Sequence, residues 1–71
     1  MSIKGTITKL VRGYGFIRTE EGRNLFFHRN DLLGVTYESL TEGRKVEFEV
    51  MQTSKGIEAV NVRLSRGRER G

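Results

Sequence analysis

Arg12-Gly13-Tyr14-Gly15-Phe16-Ile17 is followed, across a polar turn, by Leu25-Phe26-Phe27-His28. In an extended strand successive side chains point to opposite faces. If Ile17 faces a core, then Arg12, Tyr14 and Phe16 face outward. In the second run Leu25 and Phe27 then point inward, and Phe26 and His28 outward. Glu20-Glu21-Gly22-Arg23-Asn24 between them has the composition of a hairpin turn. The two outward sets therefore lie side by side, as a platform of Tyr14, Phe16, Phe26 and His28 with Arg12 at its edge. Exposed rings disfavour solubility unless something uses them. Nucleobases are a natural user, because stacking on a ring is worth roughly 1–3 kcal/mol per base. Gly13 and Gly15, lacking Cβ, let the barrel close behind the rings or let the backbone bend. The competing reading makes the rings core residues and the glycines a bulge; the flanking Arg12 and the alternating glycines favour the platform.

Working outward, five segments have strand character: residues 3–10, 14–19, 25–28, 46–51 and 57–64. Strict alternation predicts Val46, Phe48 and Val50 on one face, and Val60, Val62 and Leu64 on another. Thr53-Ser54-Lys55-Gly56 reads as a second hairpin turn. Residues 29–44 form the long connection, in which Asn30-Asp31-Leu32-Leu33 can start a helical turn capped by Asn30 or Asp31. Five short strands and one long connection suggest a small barrel, which also removes free strand edges. Residues 1–65 are expected as one domain, and residues 66–71, which carry no apolar side chain, as a flexible Arg/Gly-containing tail.

With 71 residues there is room for a single small domain. The absence of Cys excludes disulfides and Cys-based zinc sites, and a lone His28 leaves no common metal cluster. No apolar run approaches the roughly 20 residues of a membrane span. The first residues lack a signal peptide's apolar stretch. The expected setting is cytoplasmic. The net charge is +4, distributed as +3 over residues 1–35, −2 over 36–62 and +3 over 63–71. A basic front half and a basic end suggest a polyanion, most simply nucleic acid. Arg outnumbers Lys nine to four. That bias suits phosphate forks and base stacking.

The same residues resemble the bacterial cold-shock domain. Arg12-Gly13-Tyr14-Gly15-Phe16-Ile17 is similar to its first ribonucleoprotein motif, and Leu25-Phe26-Phe27-His28 to its second. Leu40-Thr41-Glu42-Gly43-Arg44-Lys45-Val46-Glu47-Phe48 is similar to the family's entry into strand four. Lys55-Gly56 and Ala59-Val60-Asn61-Val62 are similar to its last hairpin and strand. The resemblance spans about residues 3–64. It implies an all-β, five-stranded antiparallel OB-type barrel that binds single-stranded RNA or DNA with little sequence preference. By position it places Tyr14, Phe16, Phe26 and His28 on base-stacking residues and Tyr37 on a further aromatic contact. Arg12 and Lys55 fall on basic positions near the bound strand. The family usually carries Lys-Trp-Phe-Asn at the end of strand one; here the stretch is Thr8-Lys9-Leu10-Val11, with Lys9 as the occupant of the lost ring position. Arg29 replaces the aromatic that follows the His. Each change exchanges a ring for a cation, so weaker stacking, a shorter footprint and steeper salt dependence are expected.

Other residues carry less. His28 has no nucleophile or second acid at a telling spacing, so a stacking ring or hydrogen-bond donor is preferred to a general base. Glu47 and Glu49 read as the solvated side of an alternating strand. For Tyr37, core packing and base contact fit equally well. The Arg-Gly pattern at the end of the chain fits either RNA contact or solubilisation. The expectation is a monomeric, non-catalytic binder of single-stranded RNA or DNA. No cofactor, metal, membrane or small-molecule substrate is expected. An RNA chaperone role, or regulation of transcription or translation, would follow from that binding. The rivals are a small OB module docked on structured RNA, as in translation factors, and a protein-interaction barrel.

Overall fold

The protein is described from a computed structural model that covers residues 2–65. Five strands follow one another: β1 (Ile3–Val11), β2 (Tyr14–Thr19), β3 (Asn24–His28), β4 (Lys45–Thr53) and β5 (Gly56–Leu64). The connection between β3 and β4 contains two single 3₁₀ turns, Arg29–Asp31 and Tyr37–Ser39. The strands close into a barrel in the order β1-β2-β3-β5-β4, with β4 returning to β1.

Four of the five seams are antiparallel, and the β3–β5 seam is parallel. The expectation of an antiparallel barrel is corrected at that seam. The reason is parity: directions cannot alternate all the way around a ring with an odd number of strands.

The interior holds Ile7, Ile17, Leu25, Phe27, Leu40, Val46, Phe48, Ala59 and Val62, all buried. Ile17, Leu25 and Phe27 point inward as alternation requires. Gly15 explains how tightly the barrel closes behind β2. A Cβ there would lie 2.8 Å from the Phe27 ring and 2.8 Å from the Lys9 carbonyl oxygen. Gly13 is needed for its backbone instead. Its φ of +86° serves the two-residue β1–β2 turn, and nothing lies within 4 Å of where its Cβ would be.

Strict alternation fails in two strands. In β1 the register steps from Ile7↔Ile17 to Lys9↔Phe16, so Thr8 is the extra residue of a β-bulge. In β5 the register steps from Glu47↔Arg63 to Glu49↔Val60. Asn61 takes a φ of +53° there. That bulge corrects the expected face of Val60, Val62 and Leu64: Ala59 and Val62 are the buried pair, and parity changes between them. Val46 and Phe48 are buried as expected. Val50 is 44% exposed, because it lies past the core, in a cleft at the barrel's end with Ile3, Leu25 and Ile57.

The first turn of the connection is capped by His28, which corrects the choice of Asn30 or Asp31. The His28 Nδ1 accepts from the Asn30 N–H at 3.1 Å, and the His28 N–H donates to the Asp31 carboxylate at 3.0 Å. This is a reciprocal capping box in which imidazole takes the place of a hydroxyl. The turn Tyr37–Ser39 has no clear signal in the sequence. Residues 66–71, expected as a tail, lie outside the described residues.

Candidate nucleic-acid interface

Direct pairing of β2 with β3 builds the ring face. Phe16 is the Cα partner of Phe26, and Tyr14 is the partner of His28. Residues opposite each other on one face bring their side chains together. Tyr14 and Phe26 have ring centroids 5.4 Å apart. Tyr14 and Phe16 are 5.9 Å apart edge to face, and Phe16 and Phe26 6.0 Å apart. These are attractive ring geometries, so the cluster holds its shape while its outer side stays open. Tyr14 and His28 are exposed, and Phe16 and Phe26 half-buried.

Lys9 reaches this face because of the bulge. Ile7 points inward, and unbroken alternation would send Lys9 inward with it. The extra residue Thr8 turns Lys9 outward and pairs it with Phe16. A shallow depression lined by Thr8, Lys9, Phe16 and Asn24 lies there. Arg12 is exposed in the turn between β1 and β2, at the Tyr14 end of the rings.

The connection is fastened onto that same end. The Tyr37 hydroxyl donates to the carbonyl oxygens of Val11 and Tyr14, the latter at 2.7 Å. One hydroxyl proton is thereby shared across both flanks of the turn. The Tyr37 ring packs on the edge of the core, and the Arg29 guanidinium lies 5.6 Å from its centroid. That distance suits a cation–π contact. Arg29 also pairs with Glu38 at 3.0 Å, an exposed bridge worth at most about 1 kcal/mol. Tyr37 is thus a strut that holds the connection over the turn, and the ring contacts among the described residues join Tyr14, Phe16 and Phe26 only.

With Nδ1 accepting a backbone hydrogen bond, a neutral His28 keeps its proton on Nε2 and can donate from there. Lys55 is exposed in the β4–β5 turn. Because β5 runs parallel to β3 with Glu58 beside Phe26, that turn lies toward the Asn24 end of the rings, opposite Arg12. The cations therefore stand at three edges: Lys9 on the β1 side, Arg12 and Arg29 at the Tyr14 end, and Lys55 at the other end.

One carboxylate differs from its expected role. Glu49 is not simply solvated: Arg63 donates to both of its oxygens at 2.9 Å. Those bonds hold the Glu49 carboxyl below the usual carboxylate range and raise the Arg63 guanidinium. Glu58, to which the sequence reading gave no role, is brought next to Phe26 by barrel closure alone. Among the described residues no group of three or more His, Cys, Asp or Glu side chains is placed to hold a metal. No helix among them is long and apolar enough to cross a membrane.

The profile of the "Cold-shock" DNA-binding domain matches residues 3–65. Cold shock protein CspB of Geobacillus stearothermophilus is 43% identical over 51 residues, which cover 72% of this chain and 77% of that one. The major cold shock protein CspA of Pseudomonas aeruginosa is 42% identical over 54 residues, 76% of this chain and 78% of that one. A cold shock-like protein of Aquifex aeolicus is 39% identical over 67 residues, covering 90% and 96%. Among solved structures, "drosophila Unr CSD456" superposes with a TM-score of 0.81 at 28% identity, covering all of this chain and 29% of that longer one.

Proposed function

The chain belongs to the cold-shock DNA-binding domain family, a family of nucleic-acid binders, and on that footing we propose that it binds single-stranded RNA or DNA without catalysis. The observation that carries this reading is the ring cluster of Tyr14, Phe16 and Phe26, open on one side and edged by cations. A duplex hides its base faces, whereas a single strand can lay them on rings. Tyr14, Phe16, Phe26 and His28 stack unpaired bases. Lys9, Arg12, Arg29 and Lys55 gather phosphates, with Arg29 exchanging Glu38 for the strand. Tyr37 contributes by positioning the turn. Binding of this kind shifts RNA toward unpaired states by differential affinity alone, which supports an RNA chaperone or a regulator acting on transcripts. The protein acts as a monomer and needs no small-molecule substrate.

Anisotropy with a labelled single-stranded hexamer and with the matching duplex tests this reading. Preference for the single strand is expected, with about a 10-fold or greater loss on Phe26→Ala. Preference for folded RNA would replace it with a structured-RNA module. No binding at low salt would favour a protein partner.

A further inference from the structure

Four strands carry a row of hydrogen-bond donors that begins where the rings end. Asn24 on β3 pairs with Arg18 on β2, Arg18 with Thr6 on β1, and Thr6 with Lys45 on β4. Cα partners share a face. Ile17 and Thr19 beside Arg18, Gly5 and Ile7 beside Thr6, and Val46 after Lys45 are all buried, so the row points outward. Asn24, Arg18 and Lys45 are exposed, and Thr6 is half-buried. Arg18 follows Phe16 on the outward side of β2, and Asn24 precedes Phe26 on the outward side of β3. Row and rings are therefore one continuous surface, joined at the depression that Phe16 and Asn24 line. A second cleft, with Thr6, Arg18 and Lys45 in its walls, continues from there around the barrel.

The charge of this row is uncompensated. The ion pairs among the described residues are Arg29–Glu38 and Arg63–Glu49, and neither Arg18 nor Lys45 belongs to one. Lys4 lies in the same cleft but is the Cα partner of Glu47, which offsets it. Glu20 stands at the β2 end of the cleft, so two cations face one carboxylate. The row itself holds an amide, a guanidinium, a hydroxyl and an ammonium, each a donor to phosphate oxygen. We propose that a single strand leaving the rings at the Asn24 end turns across β2, β1 and β4 and sets its backbone phosphates on Arg18, Thr6 and Lys45. This rests on the stacking reading. With neighbouring strands about 4.8 Å apart, the Arg18 and Lys45 backbones stand about 10 Å apart, so the two cations serve separate phosphates. The track lengthens the footprint that the lost strand-one ring shortens, and it does so by charge rather than by stacking.

The test compares a labelled oligothymidine hexamer, which fills the rings, with a decamer, which reaches past them, in salt titrations. Extra binding registers on the decamer raise its affinity but not its salt slope. In the unmodified protein the slope of log affinity against log salt is steeper for the decamer by about 1.4, two phosphates at about 0.7 each. In the double variant Arg18→Gln, Lys45→Gln the two slopes coincide, and hexamer affinity stays within about 2-fold. The double variant Lys4→Gln, Arg23→Gln removes the same charge at the barrel-end cleft and leaves the decamer slope as it was. Equal loss of slope in both double variants, or at both lengths, makes the effect one of net charge and overturns the track. So does a decamer slope no steeper than the hexamer's in the unmodified protein while Phe26→Ala still weakens both; the stacking reading then stands. Absence of binding to either oligonucleotide overturns the stacking reading, and this one with it.

Discussion

Among the described residues, two clusters of apolar side chains at the surface differ in kind. The ring face on β2 and β3 is aromatic, and cations stand along its edges. The cleft at the barrel's end is aliphatic, lined by Ile3, Leu25, Val50 and Ile57, and its rim balances Lys4 and Arg23 against Glu20 and Glu21. Aliphatic side chains have no π-face to offer a base, and a rim of zero net charge does not gather phosphates. Exposure of apolar surface is thus not by itself the signal. The combination of rings with an unbalanced positive edge is what distinguishes a nucleic-acid face from ordinary incomplete burial at a barrel mouth.

The sharpest way to break that contrast is substitution on each side of it. Phe16→Ala or Phe26→Ala should weaken hexamer binding by roughly 10- to 100-fold. Ile57→Ala, in the cleft, should leave it within about 2-fold. Equal losses in anisotropy titrations would show that the two patches act as one.

Gly15→Ala tests whether the rings need the tight closure beneath them. Its Cβ would meet a buried ring and a backbone carbonyl, neither of which can swing away. A destabilisation of about 1–3 kcal/mol is expected, read as a lower midpoint in urea. An unchanged midpoint would mean that β2 can lift off the core at little cost.

The charge half of the contrast is tested by salt. Lys9→Gln should lower the slope of log affinity against log salt by about 0.7, the value of one phosphate contact on a single strand. Lys4→Gln, on the cleft rim, should leave the slope unchanged. A slope equally reduced by both would mean that net charge, not placement, drives binding.

The smallest effect belongs to the Arg63–Glu49 pair, which serves neither patch directly. Glu49 has a lowered pKa in the folded protein. Its contribution to stability is therefore present above the unfolded carboxylate pKa and lost as pH falls through the folded value. Glu49→Gln should lower the thermal midpoint slightly near pH 7, and the difference should close as pH falls below about 4. A difference that grew in acid would reverse the sign assigned to this pair.

Much of the candidate ring face was legible because it is local. Tyr14, Phe16, Phe26 and His28 belong to two strands joined by one short turn, and alternation within each strand settles which way they point. Ile17, Leu25 and Phe27 follow by the same rule and form the core beneath. Alternation also placed Arg12 at the edge of the rings; resemblance added Lys9, Arg29, Tyr37 and Lys55 by position, but not their contacts. Tyr37 fastening the turn, Arg29 lying over Tyr37 and His28 capping the 3₁₀ turn involve a connection with no periodic pattern to read.

The inward and outward sets of β2 and β3, the hairpin between them and the five-strand plan follow from local pattern. Tertiary structure alone decided the bulges at Thr8 and Asn61, the outward turn of Lys9, the exchange of Val60 for Ala59 in the core, and the parallel seam that brings Glu58 to Phe26. The physical reason is the range of the forces involved. Alternation is a property of one extended strand. A bulge is the adjustment one strand makes to keep register with another, and a closing seam exists only once every strand has taken its place.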